Sequence, residues 1–119
     1  MVSTTARAMT FAEFEQLPER SKRGCRYELR HGELFEVPPP LLGHARVQWQ
    51  IRRLMERVLG SLGAIEKEVS FRSLPEGEYR IADVAFISAA RWDSADPEGY
   101  LMGAPDLVVE VLSQANTAT

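Results

Sequence analysis

Apolar side chains recur along this chain with two different periods, and the switches between them mark its elements. Phe11, Phe14 and Leu17 fall on one side of a short helix that Thr10 opens. Glu13, three residues after Thr10, completes a capping box, and Pro18 closes the segment. Residues 1–9 read as a disordered leader. Arg26–Arg30 and Glu33–Val37 read as a hairpin around His31-Gly32, with Gly32 supplying the positive φ of a tight two-residue turn. After Pro38-Pro39-Pro40, the residues Val47, Ile51, Leu54, Met55, Val58 and Leu62 recur at three- and four-residue steps. That spacing predicts an amphipathic helix from Leu42 to Leu62, with His44 on the same stripe and Gly60 and Gly63 at its end.

Beyond Gly63 the period shortens to two. Ile65–Ser73 and Tyr79–Ile87, joined by the turn Leu74-Pro75-Glu76-Gly77, predict an antiparallel pair of strands. Residues 89–103 read as a loop with one helical turn, and a last strand is expected from Asp106 to Ser113. In that strand Asp106, Val108, Glu110 and Leu112 share one face, and Asp106, behind Pro105, is a turn or cap residue. Helix, strands, helix, strands is an α+β order around a mixed sheet, and 119 residues suffice for a single domain spanning residues 1–119.

Composition narrows the function classes. With 45% hydrophobic and 26% charged residues, the chain has the balance of a soluble globular protein. No apolar run reaches the roughly 18 residues a membrane span needs, and the first residues lack the apolar core of a secretory signal, so no membrane partner and a cytoplasmic location are expected. A lone cysteine, Cys25, excludes an internal disulfide or a multi-cysteine zinc site. A net charge of −3 argues against nonspecific coating of nucleic acid but not against a nucleic-acid enzyme. Two basic clusters, Arg20/Lys22/Arg23/Arg26 and Arg46/Arg52/Arg53/Arg57, are either docking patches or solvated faces.

The candidate chemistry lies in two acids embedded in apolar strands, Asp83 in Ile81-Ala82-Asp83-Val84 and Glu110 in Val109-Glu110-Val111. An ionised group in such a setting costs several kcal/mol unless it is paired or metal-bound. Two such strands offer the rigidly held carboxylate oxygens that a hard divalent cation takes, and a carboxylate bonded to an arginine fits the same pattern.

Met9-Thr10-Phe11-Ala12-Glu13-Phe14, Arg26-Tyr27-Glu28-Leu29-Arg30-His31-Gly32-Glu33-Leu34, His44, Ile81-Ala82-Asp83-Val84 and Ala104–Ser113 follow one another in an order that resembles the Uma-two group of restriction endonucleases. That group is a bacterial branch of the PD-(D/E)XK nuclease superfamily, and the resemblance spans residues 9–114. It implies a restriction-endonuclease-like mixed sheet with flanking helices, on which Asp83 and Glu110 bind Mg²⁺ or Mn²⁺ and DNA is the substrate. It further implies Glu28 as a third acid in preference to Glu33, which stands beside the turn near Arg30, and His44 as a contact to phosphate, a hydrogen bond to an acid or a proton carrier near neutral pH. His31 receives no role. The family continues with further helix and strand, so the resemblance implies a sheet lacking its C-terminal part, and exposed edges that favour a homodimer or larger homo-oligomer.

Two positions depart from the pattern. Ala82 stands where the superfamily has proline, and Leu112 stands where it has the lysine that helps to stabilise the reacting phosphate. Lys67 is a substitute on the neighbouring strand, although an outward-facing lysine reads the same way. The expected function is a metal-dependent DNA endonuclease. The alternatives are a catalytically silent nuclease-fold module for binding or assembly, and a metal-dependent hydrolase of another phosphoester.

Overall fold

The computed structural model describes residues 7–112. Their elements are α1 (Phe11–Glu15), β1 (Arg26–Arg30), β2 (Glu33–Val37), α2 (Leu42–Leu59), β3 (Gly63–Arg72), β4 (Glu78–Ser88), α3 (Ala89–Ser94), β5 (Leu101–Met102) and β6 (Leu107–Val109). The α+β class and mixed sheet agree with the sequence reading. The sheet runs β2-β1-β4-β3-β5, all antiparallel except the β3–β5 pair, and β6 joins β4 separately.

Local chemistry explains the first half. The Thr10 hydroxyl accepts the Glu13 N–H at 3.2 Å while the Glu13 carboxylate accepts the Thr10 N–H at 2.9 Å, so the capping box forms as read. The hairpin register pairs Glu28 with Phe35 and Arg30 with Glu33. His31 and Gly32 both take positive φ, +51° and +80°, as a two-residue turn of this twist requires. A Cβ at Gly32 would stand 2.5 Å from that of Ala8, and the Met9 N–H donates to the Gly32 carbonyl at 2.9 Å, so Ala8 and Met9 are tied to the hairpin, Arg7 binds Glu13 of α1, and these three do not form part of a disordered leader. The rest of that leader, residues 1–6, and Ser113 lie outside the described residues.

The core forms on both faces of β3–β4. Met55 of α2 packs on Ile65 and Val84, and on the opposite face Phe71, Leu101 and Ile87 close around Ala82 and Ala85. Regular alternation would put Ala82 and Val84 on the same face. They lie on opposite ones, so β4 changes face at Asp83–Val84, directly across from Glu68, whose φ is +56°. The ladder registers Lys67 with Val84 and Val69 with Ala82, and leaves the intervening step unpaired.

Three elements differ from expectation. Helix α2 stops at Leu59, so Leu62 falls outside it, and Val47, Leu54, Val58 and Leu62 are exposed. The helix meets the sheet along His44, Gln48, Ile51, Met55 and Leu59, because His44 and Gln48 must reach Asp83, and that turns part of the apolar stripe outward. The loop after β4 holds α3 and also β5, two residues that pair with β3 and are too short to show a period. Strand β6 ends at Val109, so Glu110 and Leu112 are exposed just past it and are not enclosed in an apolar strand. Among the described residues no helix is long and apolar enough to cross a membrane.

Buried Glu78 fastens the hairpin turn to the start of β4, accepting the His31 N–H and the Arg80 Nε–H, each at 2.8 Å. Burial pushes its pKa up, but the bonds from Arg80 and His31 outweigh this and hold it below the ordinary value of 4.5. A lowered folded pKa contributes stability that is present above the unfolded value and is lost as pH falls through the folded one. Glu78→Gln is therefore expected to cost about 1–2 kcal/mol at pH 7, and thermal melts between pH 7 and pH 3 should show a smaller loss of stability with acid than in the unaltered chain.

Candidate active site

The second edge of β4 is only partly used. Strand β1 occupies it at Glu78–Tyr79 and β6 at Val84–Phe86, and between them no strand among the described residues pairs with residues 80–83 along this edge. Unpaired backbone amides at such a gap need acceptors. Carboxylates provide them: the Ile81 N–H donates to Glu28 Oε2 at 2.7 Å and the Asp83 N–H to Glu110 Oε2 at 3.2 Å. In return the Val111 N–H donates to Asp83 Oδ2 at 2.7 Å.

Continuing the β4–β6 register by one step sets Asp83 opposite Glu110. Like charges so placed repel unless a proton or a cation lies between them. The Glu110 pKa is raised accordingly, first by desolvation and then by the Asp83 and Glu28 charges, against a lowering by the Asp83 N–H and by Arg30. His44 Nε2 and Gln48 Nε2 each lie 3.2 Å from Asp83 Oδ1. Glu28 is buried, and its Oε1 accepts from Arg30 Nε at 2.8 Å and also from Arg30 Nη2.

The four sequence-predicted residues Asp83, Glu110, Glu28 and His44 thus gather at one stretch of strand edge, although they come from four separate segments. Their surroundings differ. Glu28 has donors on both oxygens, Asp83 is held from α2 and from Val111, and Glu110 accepts only the Asp83 amide among the bonds described. Glu33 is exposed, and Arg30 pairs with Glu28 instead of with Glu33. Asp106 binds the Ser88 N–H at 2.7 Å and sits 3.5 Å from Arg91, a structural role as read.

Among the described residues no three His, Cys, Asp or Glu side chains converge as a complete metal cage. The pair Asp83 and Glu110 nevertheless fits Mg²⁺ or Mn²⁺ in kind, since Mg²⁺ is commonly held by one or two carboxylates with water or phosphate oxygens completing its shell. Leu112 is exposed, with no charge to offer at the lysine position, and Lys67 registers with Val84, one step from Asp83. Of the basic clusters, Arg26 pairs with Glu68, Arg23 with Glu36 and Arg52 with Glu56, while Arg46, Arg53 and Arg57 remain exposed on α2.

Sequence reasoning missed Gln48 and Glu68. Gln48, buried on α2, donates to Glu68 at 2.6 Å as well as to Asp83, and Arg26 binds the other Glu68 oxygen. Gln48 follows His44 by one helical turn on the face that meets the sheet, which is a usable signal. Glu68 has none, because its role depends on its position across from Asp83.

A family profile described as "Uma2: Putative restriction endonuclease" matches residues 11–119. The solved structure of "a putative nuclease belonging to DUF820 from Anabaena variabilis" superposes with a TM-score of 0.69 at 19% identity, covering 90% of this chain and 60% of that one. At that identity the likeness establishes the fold, and the chain spans about three fifths of that protein's length. No curated protein matches the sequence.

Removing one of the two facing charges should stabilise the metal-free protein. Glu110→Gln is expected to raise the melting temperature at pH 7 by about 1–4 °C without metal, and to abolish any further rise on adding Mn²⁺. Differential scanning fluorimetry with and without EDTA measures both.

Proposed function

This chain belongs to the Uma2 restriction-endonuclease family, and from that premise we propose that it is a metal-dependent endodeoxyribonuclease in which Asp83 and Glu110 hold Mg²⁺ or Mn²⁺ at the open edge of β4. The observation that carries this reading is the reciprocal bonding of the two acids, each accepting an amide from the other's segment, so that both carboxylates are held on backbone at one place. A divalent ion there would stabilise charge developing on the phosphate and make a bound water more acidic.

The chain's own groups divide the remaining work. Asp83 and Glu110 bring negative charge to one point, which disfavours the empty pair and favours a cation. His44 and Gln48 orient Asp83 from the α2 side. Glu28 caps the Ile81 amide and keeps Arg30 at the edge of the site, where its charge acts on Glu110. Glu28, buried and ion-paired with Arg30, therefore shapes this edge and takes no part as a ligand.

A second reading is a nuclease-fold module that binds or assembles without cutting. What favours it is Leu112 in the lysine position, together with the protein donors on Glu28 and Asp83. Self-association belongs to either reading, through the exposed flank Val47, Leu54, Val58 and Leu62 and the outer edge of β2, which no strand among the described residues covers.

Nicking of supercoiled plasmid with Mg²⁺ or Mn²⁺ tests the first reading. Asp83→Ala and Glu110→Ala should each lower the rate at least about a hundredfold, and wild-type protein that binds Mn²⁺ or plasmid without cutting it would support the module instead. Light scattering after gel filtration should show a dimer or larger species that Val58→Asp returns to a monomer.

A further inference from the structure

We propose that Gln48 and Glu68 form a positioning unit that aims Asp83; the proposal rests on reading Asp83 as a metal ligand. Three independent observations meet at this point. Gln48 is 1% exposed on the helix face that packs against the sheet, where an unpartnered amide would be strongly unfavourable. Its Nε2 donates to both acids, at 2.6 Å to Glu68 and 3.2 Å to Asp83. Glu68 holds a φ of +56° in mid-strand, a conformation in which a non-glycine residue persists only when its surroundings enforce it.

The enforcement is visible. Glu68 registers across from Asp83 at the one unpaired step of the β3–β4 ladder, where β4 changes face. Arg26 of β1 binds the second Glu68 oxygen, so a continuous path runs from β1 through Arg26, Glu68 and Gln48 to Asp83. Asp83 Oδ1 is thereby steadied from α2 while Val111 N–H holds Oδ2, and the carboxylate plane is set from both ends. Groups that orient a ligand in this way tune metal affinity without touching the ion. Gln48 and Glu68 are accordingly positioning residues, and the unfavourable backbone at Glu68 is retained because it points the Glu68 carboxylate at Gln48.

The test is Mn²⁺ titration by calorimetry, performed well below each variant's melting temperature, with hydrogen exchange at the Val111 amide of the metal-free protein as a readout that depends on neither metal nor cleavage. Gln48→Met keeps the volume and loses the donor. Glu68→Gly loses the carboxylate while accepting the positive φ, and because Glu68 is partly exposed it keeps the test open should Gln48→Met not fold. Each is expected to weaken Mn²⁺ binding about tenfold and to speed exchange at Val111, whereas Glu68→Gln, which retains an acceptor for Gln48, stays close to wild type. Wild-type affinity and Val111 protection in both loss variants, with Mn²⁺ binding still abolished by Asp83→Asn, would overturn the positioning role and leave the metal pair standing. Absence of Mn²⁺ binding in the wild-type chain, or its survival in Asp83→Asn, would overturn the metal reading and the positioning role with it.

Discussion

The open stretch of β4 between its pairings with β1 and β6 is the constraint on which the site depends. Buried or half-buried amides must find acceptors, and here two of them, on Ile81 and Asp83, find side-chain carboxylates where a neighbouring strand would have supplied carbonyls. The gap between β1 and β6 therefore does two things together. It leaves two β4 amides without a strand partner, and it brings Glu28 and Glu110 to that edge as substitutes for the missing strand. An acidic edge follows from the backbone accounting before any question of catalysis is asked.

Concentrating acids in this way raises the electrostatic energy of the folded chain, and the surrounding structure offsets it unevenly. Glu28 is neutralised by Arg30, and Glu68 by Arg26. Asp83 is bonded by His44, Gln48 and the Val111 amide. Glu110 is left with the smallest compensation and a raised pKa. The helix records the same compromise. A purely apolar contact would centre α2 on Val47, Ile51, Leu54 and Val58, but His44 and Gln48 occupy the contact line, and part of the apolar stripe is left in solvent. Packing has been given up where polar groups are needed at Asp83, the pattern expected at functional sites.

Much of the fold could be read from the sequence because its signals are local. The Thr10–Glu13 box, the His31-Gly32 turn with its register, and the long helix each rest on chemistry within a few residues. The readings that failed lacked such signals. Strand β5 is two residues long, the end of β6 is set by where β4 stops pairing with it, and the turning of α2 answers to a carboxylate 35 or more residues away in sequence. Of the candidate site, the identities of Asp83, Glu110, Glu28 and His44 were accessible through the order of motifs that the chain shares with its family. Gln48 and Glu68 were not, since a glutamine on a helix and a glutamate on a strand are unremarkable until they are found on either side of Asp83.

The sequence by itself therefore determined the long helix, the first hairpin with its register and the pair of long strands that follows, because those outcomes rest on side-chain period and turn conformation acting over short spans. Only the tertiary structure decided that the acids meet. That depends on β1 and β6 approaching the same edge of β4 without closing it, on the break across from Glu68, and on α2 turning Gln48 inward. Each is a non-local pairing, selected by backbone hydrogen bonds and burial across the whole sheet and by no local pattern of residues.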